Sequence, residues 1–275
     1  MMMKRLLLVS ILTLSATLGG AAQADALADI KSKGKLVCGH TQASEPFGFP
    51  DQVTRQFVGF DVDICRALAK GLGVEVELKA LSISARIPEL KTKRVDVLAA
   101  LLGYSAERAT QVDYSYQYYL SNQKALVKES SGLKSLKDLA GRKLGGSKGS
   151  SSVTAAQKIL PTSNILTFQD SPSAYLALQQ DKVEAVLFGE LILARFVKQA
   201  KEQGQPLVAI LSEPLFVEPQ GIGVNKGEPA LLAAINERLL AMDRNGELQT
   251  IFDKWVGQNS AYGFVRNYKV EPIAP

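Results

Sequence analysis

The sequence predicts an α/β protein of two lobes, and three observations carry that expectation. Strand-like stretches alternate with amphipathic helical stretches at the spacing of parallel βαβ units. Two runs, Val95 to Leu102 and Val183 to Phe188, are apolar enough for strands buried on both faces. The chain has 275 residues, of which 46% are apolar. That length gives a prior of about two domains, each with material for its own core.

The elements follow in order. A polar helix is expected from Asp25 to Ser32, then a strand at Lys35-Leu36-Val37-Cys38-Gly39 and a loop at Ser44-Glu45-Pro46-Phe47-Gly48. Phe60, Ile64, Ala67, Leu68 and Leu72 fall at helical spacing, Asp61 and Asp63 occupy the first turn, and Gly71 and Gly73 end the helix. Val74 to Leu78 alternates as a strand, Ile83 to Leu90 is a short helix, and the buried strand Val95 to Leu102 follows. The tyrosine-rich stretch Tyr114 to Tyr119 interrupts the alternation and leads to a strand around Lys124 to Lys128. A second set begins with a weak strand at Lys143 to Gly146, a helix from Ser151 to Leu160 and a strand at Asn164 to Phe168. Ser171-Pro172 reads as a cap and first turn, Val183 to Phe188 as a buried strand, and another helix runs to Gln203. Glu213-Pro214 and Glu218-Pro219 bracket an extended crossing before two final helices, one through Leu231 to Met242 and one through Leu248 to Trp255.

The first 24 residues read differently. Lys4 and Arg5 precede an apolar run from Leu6 to Leu18 that ends in Gly19, Gly20 and Ala22-Gln23-Ala24. This is the pattern of a secretory signal peptide, 1–24, cleaved before Asp25. The run is shorter than the roughly 20 residues a spanning helix needs. The full chain carries +5, spread without a run of five like charges, which implies mild anion attraction and no nucleic-acid partner. In an exported chain the two cysteines, Cys38 and Cys65, are either bonded to each other or buried separately as small hydrophobes. With the single His40 they make no four-ligand zinc site, and no cofactor is implied.

Catalytic signatures are missing: there is no G-x-S-x-G, P-loop, H-E-x-x-H or G-x-G-x-x-G, and His40 has no evident partner. Anion-binding features remain. Arg108 follows the buried strand, and guanidinium suits bidentate carboxylate recognition, although spacing alone reads more readily as a solvated helix arginine paired with Glu107 or Asp113. Ser150-Ser151-Ser152 opens a helix after a strand, where free N–H groups and hydroxyls favour an anion, although the same pattern serves plain N-capping.

From Gly34 to about Gly257 the chain resembles the polar amino-acid-binding family of solute-binding proteins that serve ABC importers. The resemblance rests on the order and spacing of Gly34-Lys35-Leu36-Val37-Cys38-Gly39, Pro46-Phe47-Gly48-Phe49, Val58-Gly59-Phe60-Asp61-Val62-Asp63-Ile64, Ile87-Pro88-Glu89-Leu90 and Glu107-Arg108-Ala109-Thr110-Gln111-Val112-Asp113-Tyr114-Ser115. Ser135 to Gly141, Gly221-Ile222-Gly223-Val224 and Asp253-Lys254-Trp255-Val256-Gly257 continue it. It implies the periplasmic binding protein fold of type II kind, each lobe a sheet flanked by helices, with a ligand cleft between lobes. Residues 25–119 and 220–275 would form lobe 1 and 120–219 lobe 2, with crossings near Tyr119 to Gln123 and Val217 to Gln220.

The resemblance also assigns the site. Arg108 would hold the ligand α-carboxylate, Ser150 and Ser151 would add hydroxyls, and Phe47 would supply the aromatic face, with Thr41, Gly103 and Ser105 beside them. Two departures stand out. Leu101, Leu102 and Gly103 replace the usual small hydroxyl residues, and the acid that usually meets the α-ammonium falls at Gly189, with Glu190 next to it, so that either Glu190 reaches the site as a ligand-binding residue or the ligand lacks an ammonium group. Paired cysteines at similar places occur in some members, so a Cys38–Cys65 disulfide is expected. An arginine before the short helix, here Arg86, meets a side-chain carboxylate in some members that bind acidic amino acids. Two guanidinium groups in one closed cleft repel unless a dianion or a protein acid stands between them, which favours glutamate, aspartate or another dicarboxylate. The expected protein is a periplasmic, monomeric component that closes on its solute and presents it to an inner-membrane ABC permease, without chemistry. A cyclohexadienyl-dehydratase-like enzyme and a periplasmic sensor protein are the alternatives on the same scaffold.

Overall fold

In the computed structural model, which describes residues 25–258 and 260–274, the strands in chain order are β1 (Lys35–Thr41), β2 (Phe49–Pro50), β3 (Phe57–Val58), β4 (Glu75–Leu81), β5 (Val97–Leu98), β6 (Val112–Lys128), β7 (Lys143–Ser147), β8 (Asn164–Phe168), β9 (Ala185–Gly189), β10 (Val208–Ile210) and β11 (Phe216–Asn225). The expected signal peptide lies outside the described residues. Nine of these strands form one sheet in the order β4-β1-β5-β11-β6-β9-β7-β8, with β10 also on β6; β2 and β3 pair separately.

The sheet has two parallel ends joined by an antiparallel middle. β1 runs parallel to β4 and β5, and β7 parallel to β8 and β9. Between them β6 and β11 pair antiparallel from Phe216↔Gln123 to Asn225↔Val112, with register shifts around Gly221. β11 also meets β5, whereas the C-terminal half of β6 meets β9 and β10. Each α/β set therefore hangs on the same two strands. The protein is a two-lobed α/β fold.

Two expectations change, and both changes bear on the site. The tyrosine-rich stretch does not interrupt the alternation: Tyr114 to Tyr119 lies within the 17-residue β6. Aromatic side chains fit a pleated, half-buried surface, and Tyr118 is completely buried there with its ring stacked on Phe60 at 6.0 Å. Conversely, only Val97–Leu98 of the run Val95 to Leu102 is strand. The chain then turns sharply, with Leu101 at φ +52°, a left-handed value that side chains other than glycine rarely adopt.

The helix Phe60–Leu72 matches its expected pattern. Gly59 precedes it at φ +134°, where a Cβ would overlap the Phe47 carbonyl, and Gly73 closes it at φ +73° by donating to Ala69 and Lys70. The apolar face buries Phe60, Ile64 and Leu68 against β1 and the C-terminal helices. Burial of each such side chain contributes about 1.5–3 kcal/mol. Cys65 on this helix is bonded to Cys38 of β1, with Cα atoms 5.8 Å apart, as the resemblance implied. The helix Ser171–Gln179 starts one residue earlier than the Ser-Pro pattern indicated: Asp170 is the cap and accepts from the Ser173 N–H. No helix among the described residues is long and apolar enough to cross a membrane.

Candidate functional site

Two adjoining cavities lie at the carboxyl ends of the parallel strands, the usual ligand position in open α/β sheets. The inner one, about 50 Å³, is lined from one side by Ser44, Phe47, Ile83, Arg86 and Leu101. From the other side come Ser147, Ser150, Ser151, Ser152, Ser171, Phe188, Gly189, Leu191 and Ile192, and the central strands add Ser121, Gln123, Glu218 and Gln220. The outer cavity, about 670 Å³, shares Ile83, Arg86 and Ser151 with it and adds Ser105, Arg108, Lys148, Gly149 and Lys158. Ser150 is the N-cap of the helix Ser151–Ile159 and accepts from Val153, so the hydroxyl run opens a helix as expected.

Arg108 reaches from one α/β set to the other. Nη1 donates to the Gly103 carbonyl at 2.9 Å and Nη2 to the Gly149 carbonyl at 3.0 Å. The carboxylate it faces is Glu218, with Nη1 3.9 Å from Oε1. Glu218 is only 2% exposed. Its Oε2 accepts from the Gln123 amide at 2.9 Å, and Oε1 has no hydrogen-bond partner. Burial pushes the Glu218 carboxyl up; the Ser151 hydroxyl, Arg108 and Arg86 pull the other way. Position 103 must be glycine for this arrangement, since a Cβ there would overlap the Glu218 carboxyl.

Arg86 does not point to water: it lines both cavities, and its Nε and Nη1 are spent on backbone carbonyls. It is 3% exposed; Nε donates to the Ile83 carbonyl at 2.8 Å, and Nη1 to Ala100 at 2.8 Å and Leu101 at 2.6 Å. Burial, then the nearby Arg108, lowers its pKa to about 9, while Glu218 raises it. Arg86 thus helps to fix the strained turn at Leu101, with Asp61 on the other side: Asp61 Oδ2 accepts from the Leu101 N–H at 2.9 Å and Oδ1 from the Tyr118 hydroxyl at 2.7 Å. The protein acid that two facing guanidinium groups require is Glu218, so charge alone no longer demands a dianionic ligand.

Other expected residues separate into two groups. Phe47, Ser150, Ser151 and Arg86 line the inner cavity, and Arg108 and Ser105 the outer one. Thr41, Gly103 and Glu190 line neither. The Thr41 hydroxyl is buried and donates to the Gly48 carbonyl at 3.4 Å, because β1 ends against that loop. Glu190 is held away by Lys124 at 2.6 Å and Asn122 at 2.9 Å, so it does not substitute for an acid at Gly189. His40 is buried against Phe57, with Nδ1 2.9 Å from the Thr41 carbonyl, and burial lowers its pKa. Sequence reasoning missed Glu218, Gln220 and Gln123. The first two share one face of a strand by their i, i+2 spacing, a signal hidden because the crossing was read only from its prolines.

Contacts between the two α/β sets close the cleft around the cavities. Arg195 of the helix Glu190–Glu202 donates from Nε to Glu45 at 2.7 Å, and the Ser171 hydroxyl donates to the Ala43 carbonyl at 3.2 Å. Together with the Arg108 bond to Gly149, they describe a closed form.

The model of the bacterial extracellular solute-binding proteins, family 3, matches residues 36–258. The chain belongs to that family. The ABC transporter glutamine-binding protein GlnH of Bacillus subtilis is 32% identical over 241 residues, 86% of each protein. Among solved structures, an ancestral arginine-binding protein bound to arginine is 36% identical with a TM-score of 0.76, covering 82% of this chain and 99% of that one. An ancestral amino acid-binding protein described as a precursor of cyclohexadienyl dehydratase is 30% identical with a TM-score of 0.76, covering 84% and 99%.

Proposed function

We propose that this family member is the periplasmic receptor of an ABC importer for a small polar amino acid. Residues 25–119 and 220–275 form one lobe and 120–219 the other, and the chain bends where β6 and β11 cross, at Tyr119 to Gln123 and Val217 to Gln220. The observation that carries the reading is Arg108, a guanidinium at the mouth of a cavity built from both α/β sets and bonded across it to Gly149. Such a group recognises a carboxylate in two-point fashion, and closure around it sequesters the ligand. Ser150 and Ser151 add hydroxyls at a helix start, Phe47 covers the ligand, Ser105 lines the outer cavity, and Gly103 leaves room for Glu218.

Two arginines against one glutamate leave a single positive surplus. A ligand of zero or single negative net charge fits it, in the manner of glutamine or glutamate; a cationic side chain does not. The chain delivers this ligand unchanged, as a monomer after removal of 1–24, to an inner-membrane permease. Mass spectrometry of ligand carried through native purification, with scattering on the emptied and refilled protein, tests the reading. A polar amino acid and a smaller radius of gyration on refilling support it. A cationic ligand, a chemically altered ligand or coincident scattering profiles contradict it.

A further inference from the structure

Two buried acceptors face the inner cavity without a donor. They are Oε1 of Glu218 and Oε1 of Gln220, both on β11 and both 2% exposed. Residues two apart on a strand present their side chains to the same face, and both line the inner cavity. Of the donors around them, the Gln123 amide serves the other carboxyl oxygen, the Ser152 hydroxyl donates to Gln123, and Arg108 gives one N–H of each Nη to a backbone carbonyl; the Ser151 hydroxyl and the Gln220 amide favour the charged carboxyl without pairing Oε1. An unpaired buried acceptor is costly, and a carboxylate more so than an amide. Both Oε1 atoms are therefore open to a ligand, and the group that suits a buried carboxylate best is a cation with several N–H bonds.

Arg108 stands 3.9 Å away, near enough to attract Glu218 electrostatically and too far for a hydrogen bond. An opposed guanidinium and carboxylate at that separation complement a zwitterion, whose carboxylate and ammonium lie on adjacent atoms. A water molecule could donate to Oε1 but would leave the carboxylate without a cation in direct contact. Glu190 is engaged by Lys124, and Gly189 carries no side chain, so Glu218 is the acid that the inner cavity offers.

We propose that Glu218, with Gln220 beside it, receives the α-ammonium group of the ligand, and so makes the site selective for amino acids over the same acids lacking the amine. This rests on the reading of the chain as an amino acid receptor with Arg108 on the carboxylate. The central strand pair is then a wall of the specificity site as well as the hinge, and the ammonium draws on a residue that belongs to the bend itself.

The test is calorimetry of wild type and Glu218→Gln with two matched pairs, L-glutamine against glutaramate and L-glutamate against glutarate. Wild type is expected to favour the amine-bearing member of the pair it binds by roughly 10- to 100-fold, the size of a charge-assisted hydrogen bond. Glu218→Gln keeps the shape and an acceptor for Gln123, so the expected loss falls on the amine-bearing member and the preference collapses toward unity. A merely structural loss would lower both members alike, as Arg108→Ala should, and leave the ratio standing. An unchanged ratio in Glu218→Gln, or a wild type indifferent to the amine, overturns this inference and leaves the receptor reading intact. A wild type that binds neither pair overturns both.

Discussion

Gly103 and Glu218 occupy one another's space: the carboxyl of Glu218 lies where a Cβ on residue 103 would have to be. This contact joins the turn after β5 to the strand β11, and it sets how close Glu218 comes to Arg108. Gly103→Ala should therefore displace Glu218 while leaving the core untouched. The expected result is about a tenfold or greater loss of ligand affinity, with unfolding stability changed by about 1 kcal/mol, read by calorimetry and denaturant titration. Wild-type affinity in this variant would show that the Glu218 position is not critical.

Asp61 supplies a pH test of the scaffold. Burial, the largest cause, raises its pKa from 3.8 to about 7, against the opposing bonds from Tyr118 and Leu101. Because the folded pKa is the higher one, the folded protein holds more protons than the unfolded chain between pH 3.8 and 7, and this site stabilises progressively as pH falls through that window. Asp61→Asn mimics the neutral form and can keep an acceptor for the Leu101 N–H. Its stability relative to wild type should rise with pH across the window, with a limiting slope of about 1.4 kcal/mol per pH unit. A difference that does not vary with pH would show that Asp61 is ionised throughout.

The Cys38–Cys65 bond spans 27 residues. Loop closure of that size restricts the unfolded chain by about 3–4 kcal/mol in the chain-entropy model. Denaturant unfolding of Cys38→Ser/Cys65→Ser should show a loss of that order, with ligand affinity nearly unchanged because neither sulfur lines the cavities. Two titratable thiols in the unreduced, unfolded wild type would contradict the bond.

The Glu45–Arg195 pair holds the closed form from outside the cavity. Both side chains are partly exposed, which limits the pair to about 0–1 kcal/mol. Glu45→Gln is expected to weaken ligand binding no more than about fivefold. The deficit should shrink as salt rises, because screening weakens the wild-type pair. Titrations at low and high ionic strength check it; a salt-independent deficit would mean that Glu45 acts through packing.

Alternation of strands and helices made the two α/β sets legible, and local spacing gave the helix Phe60–Leu72 almost to the residue. Residue type marked Arg108 and the serine run as places where an anion could bind, with a solvated arginine and plain capping as equally local readings, and only the family resemblance brought in Arg86. What stayed hidden was long-range. Arg86 is fixed by carbonyls 14 and 15 residues away, and Glu218 meets Arg108 across more than a hundred positions. No local pattern encodes such meetings. The sharp turn at Leu101 was hidden too, because an apolar run reads as continuous strand until Asp61 and Arg86 are seen to hold its backbone.

The most direct test of the receptor account is calorimetric titration of wild type and Arg108→Ala with the full set of L-amino acids, followed by chromatographic recovery of the ligand. The account predicts one-to-one binding of an uncharged polar or acidic amino acid by wild type, a loss of at least about 100-fold in Arg108→Ala, and recovery of the ligand unchanged. Equal binding by the two proteins, or conversion of the ligand during incubation, would contradict it.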